Sequence, residues 1–282
     1  MTKCVDAHHH LWRYSSTEYG WIGDDMPGLR RDYLPPEFHT EMERGGVQTA
    51  VTVQARQTLE ETCWLLRLAQ QYPFIAGVVG WAPITSLDFQ THLETLATNP
   101  KLKGLRHVLQ DEPDDAFMLR EDFQRGIAAL EDTGLVYDIL IHERHLPYAV
   151  QLADRNPNQA FVLDHLAKPR IRTGELARWR EHLHRLAQRP NVYCKLSGMV
   201  TEADWNNWTI EDLRPYVEAV LESFGPQRIL AGSDWPVCTV AASYGRWWKT
   251  LRELIATLSS SEQESILGGN AIEVYRLEGN KS

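Results

Sequence analysis

Two histidines one residue apart, His8 and His10, are the first residues of this chain able to do chemistry together. They follow a short apolar run at residues 4–7. Alternation along a strand would therefore project both to one face and His9 to the other. Two imidazoles so placed can aim one nitrogen each at a single point, a metal-ligand spacing that suits zinc or manganese. His165 and Asp234 end two later apolar runs and complete a candidate ligand set of His8, His10, His165 and Asp234. The same imidazoles also suit hydrogen bonds that orient water and substrate, so one divalent ion is allowed by the spacing and not demanded by it. A second ion is not expected: a bridging ligand would be needed on the fourth strand, where Lys103 has parity opposite to Arg106.

Asp234 stands where an apolar run stops, among the small residues of Ala231-Gly232-Ser233-Asp234, which would let a substrate approach. It is the leading candidate for a general base toward water, with His10 and His165 as its catalytic partners; the alternative is an Asp that caps the following turn. Three basic residues near strand ends, Arg106, Lys168 and Lys195, suit a carboxylate or an oxyanion, or else form structural ion pairs with Asp138 or Asp164. Gln54, His107 and His145 add hydrogen-bonding ends that suit a polyhydroxylated ring. Trp21, Trp81 and Tyr19 offer apolar platforms for such a ring, although simple packing explains an aromatic equally well.

Residues from so many segments meet only if the fold brings strand ends together. Apolar runs that read as buried strands recur at 4–7, 49–53, 75–81, 102–108, 136–141, 160–163, 191–196 and 228–231. Helical patterns separate most of them, as at 59–72 with Leu65, Leu66 and Ala69 on one face, and at 176–188 with Leu183, Leu186 and Ala187. Strand and helix in alternation demand a parallel sheet. A doubly wound sheet would usually carry a glycine-rich turn after its first strand, where this chain has three histidines, so no nucleotide cofactor is expected. Eight units in 282 residues fit a (β/α)8 barrel, which typically takes about 250. With no linker or low-complexity segment, residues 1–282 read as a single domain. The connection at about 11–47, rich in Trp, Tyr, Gly and Pro, reads as a loop over the barrel mouth.

Composition narrows the partners. The chain carries 29 basic against 38 acidic residues, a formal charge of -9, with no run of Lys or Arg that would track phosphates. A nucleic-acid partner is disfavoured. No apolar stretch approaches the roughly 18 residues that span a bilayer, and no leader is evident, so a soluble cytoplasmic protein with no membrane partner is expected. Cys4, Cys63, Cys194 and Cys238 form no paired spacing and read as buried free thiols.

Taken together and in order, the segments DAHHHLWRY (6–14), YGWIG (19–23), RDYLP (31–35), VQA (53–55), GWAP (80–83), LKGLRHVLQDE (102–112), VLDHLAKP (162–169), CKLSGMVTEADW (194–205), GSDWPVC (232–238), AASY (241–244) and GGNA (268–271) resemble the amidohydrolase superfamily, in the amidohydro-2 branch that contains sugar-lactone hydrolases. The resemblance spans nearly the whole chain. It implies a distorted (β/α)8 barrel, Asp234 as base, and His8, His10 and His165 around a water or a metal. It also implies Lys195, Arg106 and Trp81 as holders of a small-molecule lactone. Because the branch includes lactonases that work without a metal, the histidine cluster leaves open whether the ion is required or dispensable. The implied substrates are aldonolactones configured like L-fucono-, L-galactono- or D-arabinono-lactone, with CKLSGMVTEADW favouring the L-fucono form. His142 and His145 follow the fifth strand where apolar residues and Gln are common in such enzymes, which opens a shift toward a related sugar or a uronic-acid lactone. Two other readings remain at this point: a metal-dependent decarboxylase of the same branch, and a non-catalytic sugar-acid binding protein.

Overall fold

A computed structural model describes residues 3–277. Eight parallel strands lie in sequential order: β1 (Val5–His9), β2 (Thr49–Val53), β3 (Ile75–Gly80), β4 (Leu102–Val108), β5 (Val136–Leu140), β6 (Phe161–Leu163), β7 (Val192–Leu196) and β8 (Ile229–Ala231). The seam between the last and first strands is joined just beyond β8, where Asp234 N donates to His8 O at 2.8 Å and His10 N to Trp235 O at 2.6 Å. The result is a (β/α)8 barrel, as the strand-and-helix alternation predicts.

The helices between strands are α1 (Pro35–Gly45), α2 (Leu59–Gln71), α3 (Phe89–Ala97), α4 (Glu121–Leu130), α5 (Leu146–Arg155), α6 (Ala177–Ala187) and α7 (Ile210–Phe224), with α8 (Tyr244–Leu254) after β8. Each lays an apolar stripe on the sheet. In α2, Leu65, Leu66 and Ala69 are buried, and the Thr58 hydroxyl accepts from Glu61 N to cap the first turn. Part of the stretch read as loop is therefore helix: α1 starts on Pro35-Pro36, which suit a first turn, and buries Phe38 and Met42 one turn apart. Residues 11–34 make the true excursion, pinned by paired backbone bonds between Trp12 and Tyr33. All four cysteines are free; Cys194 and Cys238 are buried, but Cys63 is exposed because it falls on the outer face of α2.

The barrel interior begins as an apolar layer of Val5, Ala7, Val51, Val53, Val79, Val136, Val162 and Leu230, closed from below by Ala271, Val274, Tyr275 and Leu277 near the C-terminus. A register shift in β1 between Asp6 and His9 then changes which side chains point inward. Below the shift Val5 and Ala7 face the interior set, and above it His8 and His10 do. His9 turns outward, stacked on Phe38 with ring centroids 3.7 Å apart and with Nε2 2.8 Å from Thr52 Oγ1. No helix among the described residues is long and apolar enough to cross a membrane.

Candidate active site

Above the apolar layer the interior becomes charged. Lys195 of β7 is fully buried between Asp138 Oδ2 at 2.5 Å and Asp164 Oδ1 at 2.9 Å. Tyr275 donates its hydroxyl to Asp138 at 2.8 Å, so the C-terminal segment both seals the barrel and supports this layer. Burial raises the Asp138 carboxyl against the pull of Lys195. Burial pushes Asp164 the same way, but Lys195, His8 and Arg106 outweigh it and hold that carboxyl well below its ordinary value. Arg106 Nη1 reaches Asp164 Oδ2 at 2.9 Å, and Nη2 donates to Gln54 O at 2.5 Å and Gln54 Oε1 at 3.0 Å.

His8, His10, His165 and Asp234 meet on top of this layer. His8 Nε2 is 3.2 Å from His10 Nε2, while Asp234 Oδ1 is 3.3 Å from His10 Nε2 and 3.9 Å from both His8 Nε2 and His165 Nε2. Nitrogens and oxygens bound to one ion at about 2.0–2.2 Å stand roughly this far apart. The ring orientations also allow it: His10 Nδ1 lies 2.8 Å from Val53 O and His8 Nδ1 3.2 Å from Asp164 Oδ1, so with the proton on Nδ1 each ring has an acceptor for it and an Nε2 lone pair that points inward. Burial keeps His8 well below its ordinary pKa and takes His165 to about 4, leaving neutral rings. The donor set therefore fits a divalent metal, through the group His8, His10 and Asp234 or the adjoining group His8, Asp164 and His165.

Backbone conformation aims these groups. Asp234 has φ of 60°, and His165, Leu166, Ala167 and Lys168 form a left-handed run with φ of 53°, 55°, 60° and 49°. Residues with side chains enter that region at a cost and mostly at functional sites. Gly198, also left-handed at φ 61°, packs so tightly that an added Cβ would lie 2.5 Å from His165 Nδ1 and 3.2 Å from Asp234 Oδ2. Asp6 ties the two sides together, accepting from Ser233 N at 2.8 Å, Ser233 Oγ at 2.6 Å and His8 N at 3.1 Å. Burial would raise the Asp234 carboxyl, but His165, His10 and Lys168 outweigh it and keep it below its ordinary value.

A cavity of about 440 Å³ opens over this floor, within the range of small-molecule clefts. His10, His165, Asp234, Arg106, Lys168 and Trp21 reach its wall. So do Glu18, Arg56, Gln57 and Gln110, which the sequence did not single out. Arg56 pairs with Glu18 of the 11–34 excursion, and the buried Glu61 accepts from Ala55 N at 2.9 Å, Arg56 N at 2.7 Å and the Tyr19 hydroxyl at 3.3 Å. This clamp sets the excursion against the mouth.

Other candidates fall elsewhere. Lys195 and Gln54 lie below the wall, holding Asp164 and Arg106. His107 follows Arg106 on β4 and so points away from it, to Glu112 at 2.6 Å, stacked on Phe117 and 3.4 Å from Trp81 Nε1. His145 lies past the end of β5 in the turn that begins α5, where it bonds Asp115 at 2.8 Å and accepts from His142 N. The structure thus does not bring Trp81, His107 or His145 to the cavity.

Comparison with known proteins agrees with this geometry. The Amidohydro_2 family of amidohydrolases matches residues 5–277. An L-fucono-1,5-lactonase of Burkholderia multivorans is 42% identical, covering 97% of this chain and 96% of that protein. Another, of Burkholderia ambifaria, is 36% identical over 99% of this chain and 97% of its own. A crystal structure of an amidohydrolase from Burkholderia multivorans with bound zinc superimposes with a TM-score of 0.94 at 41% identity, covering 98% of this chain and all of that one.

Proposed function

The chain belongs to the Amidohydro_2 amidohydrolases, and from that premise we propose that it hydrolyses a sugar lactone, L-fucono-1,5-lactone or a closely related aldonolactone, to the open-chain acid. The observation that carries the reading is the convergence of Asp234, His10 and His165 on the wall of a cavity, with the buried His8 in contact behind them, in a chain so similar to the lactonases over nearly its full length.

In this reading the Asp234 carboxylate takes a proton from water as the water oxygen adds to the lactone carbonyl. When the addition product collapses, the ring C–O bond breaks and Asp234 returns the proton to the leaving ring oxygen. His10 and His165, neighbours of Asp234, orient the water, and Gly198 leaves room for His165 to do so. His8, His10 and Asp234, with His165 beside them, would hold zinc or manganese, which when bound supplies Lewis-acid polarisation and a more acidic water. Trp21, 41% exposed at the mouth, provides an apolar face for the sugar ring, and Arg106 borders the reacting end.

A pH-indicator screen of aldonolactones, with and without chelator and with γ-butyrolactone as the stripped control, tests the reading, since each hydrolysis releases a proton. The expected outcome is rapid acid release without carbon dioxide from the L-fucono lactone and its near epimers, and poor turnover of the control. A site that pairs hydroxyls discriminates strongly against analogues lacking them. Equal efficiency on γ-butyrolactone and every sugar lactone would contradict a polyol-reading site.

A further inference from the structure

We propose that Lys168 is a catalytic residue of the lactone reaction, holding the oxyanion formed at the carbonyl and then the carboxylate of the product; this rests on the lactonase reading above.

Sequence places three cations near strand ends, and the structure separates them. Lys195 is buried beneath the cavity and satisfied by two carboxylates. Arg106 is committed to Asp164 and to Gln54. A further cation on the wall, Arg56, is paired with Glu18 and lies 3.7 Å from Glu61. Lys168 shares the cavity wall with His10, His165 and Asp234, and among the described residues its ammonium has neither a hydrogen bond nor an ion pair. It is a charge on the same wall as Asp234 that, among the described residues, no side chain pairs directly.

The backbone that puts it there is unusual. Lys168 closes the left-handed run that begins at His165, a conformation costing about 1–3 kcal/mol per residue when a side chain is present. The surroundings enforce it: Lys168 N donates to His165 O at 2.7 Å, Trp179 Nε1 donates to Leu166 O at 2.8 Å, and Leu166 and Ala167 are fully buried. One turn thus sends two apolar residues into the core and brings His165 and Lys168 to the same cavity. A lysine serving only solubility would require none of this. Its positive field reaches Asp234, His165, His142 and Glu202 and opposes a proton on each, although burial still leaves the Glu202 carboxyl above its ordinary value.

The charge balance of the reaction supplies its use. The lactone is neutral. As the water oxygen bonds to the carbonyl carbon and Asp234 takes the proton, the carbonyl electron pair moves onto oxygen, and negative charge appears beside Lys168. Collapse re-forms the carbonyl, breaks the ring C–O bond and delivers the Asp234 proton to the leaving oxygen. The new carboxylic acid then loses its proton to solvent, and the carboxylate stays against Lys168 until release. A cation unpaired in the ground state interacts with charge that only the transition state and product carry, and such differential binding accelerates the chemical step.

The test combines turnover of L-fucono-1,5-lactone with calorimetric binding of L-fuconate, for wild type, Lys168→Met and Lys168→Arg. Lys168→Met should lower kcat by about 100- to 1,000-fold, the range for loss of one oxyanion donor. KM for the neutral lactone should stay within about threefold, since the lost contact is made in the transition state. Fuconate binding should weaken at least about tenfold, and Lys168→Arg should restore part of both losses. Lys168→Gln gives the same readouts if Lys168→Met does not fold. A raised KM with unchanged kcat, or fuconate held as tightly by the Met or Gln variant as by wild type, would overturn the assignment. Should wild type hydrolyse no aldonolactone, the lactonase reading fails separately. Fuconate binding then still decides for Lys168: dependence on the lysine supports an anion-holding role, and independence or absence of binding refutes it.

Discussion

His8 Nε2 and His10 Nε2 face each other across 3.2 Å, and each ring has its other nitrogen facing an oxygen acceptor, Asp164 Oδ1 for His8 and Val53 O for His10. With both Nδ1 atoms protonated, two lone pairs converge on the same small space. Such an arrangement is favourable when a cation lies between them.

The purified protein should accordingly retain a divalent ion, and Asp164→Asn should weaken its affinity by roughly 10- to 100-fold by releasing the His8 ring. Titration against a chromophoric chelator measures this, with a thermal melt confirming that the variant is folded. Equal affinity in folded wild type and variant would show that Asp164 does not orient the ligand.

Gly198→Ala tests the tightness of the site. The new methyl would lie 2.5 Å from His165 Nδ1 at a backbone φ of 61°, so His165 must shift and the backbone is strained. A loss of about 1–3 kcal/mol is expected in urea unfolding, accompanied by a fall in kcat. Wild-type stability and activity together would mean that neither His165 nor the local backbone is as constrained as described.

Glu61 gives a prediction about pH. Burial raises its carboxyl from 4.5 to about 7 despite the backbone donors of Arg56 and Ala55. Between those values the folded chain keeps a proton that the unfolded chain releases, so the contribution is fully present below about 4.5 and is lost as pH rises through about 7. Unfolding free energies at pH 5 and pH 7.5 should show wild type losing stability relative to Glu61→Gln. Parallel changes in the two proteins would remove the case for a protonated Glu61.

Much of this architecture was legible from local pattern. The eight apolar runs coincide closely with β1–β8, and alternation correctly separated His8 and His10 from His9. Alternation also contained the information that Arg106 and His107 could not both face inward. What it could not carry were features created by closure of the barrel: the shift in β1, the left-handed turns at His165–Lys168 and Asp234, and the approach of Tyr275 from the C-terminal segment to Asp138. For Lys195 the alternative of a structural ion pair with Asp138 or Asp164 is the one the structure shows; that it holds both at once could not be read locally, because the two carboxylates come from β5 and from the turn after β6. The Glu18–Arg56 clamp joins residues from different connections, so no local motif announces it. The glycine of Lys195-Leu196-Ser197-Gly198 was a usable signal, since a glycine just past a strand end marks a close approach.

The most direct measurement is the turnover of L-fucono-1,5-lactone by Asp234→Asn, which keeps the size of the side chain and removes the base. The account predicts that kcat falls by about 100- to 10,000-fold with a smaller change in KM, in a protein whose melting curve shows it folded. A variant retaining more than about half of the wild-type kcat, far outside the range for loss of a general base, would contradict the assignment of Asp234.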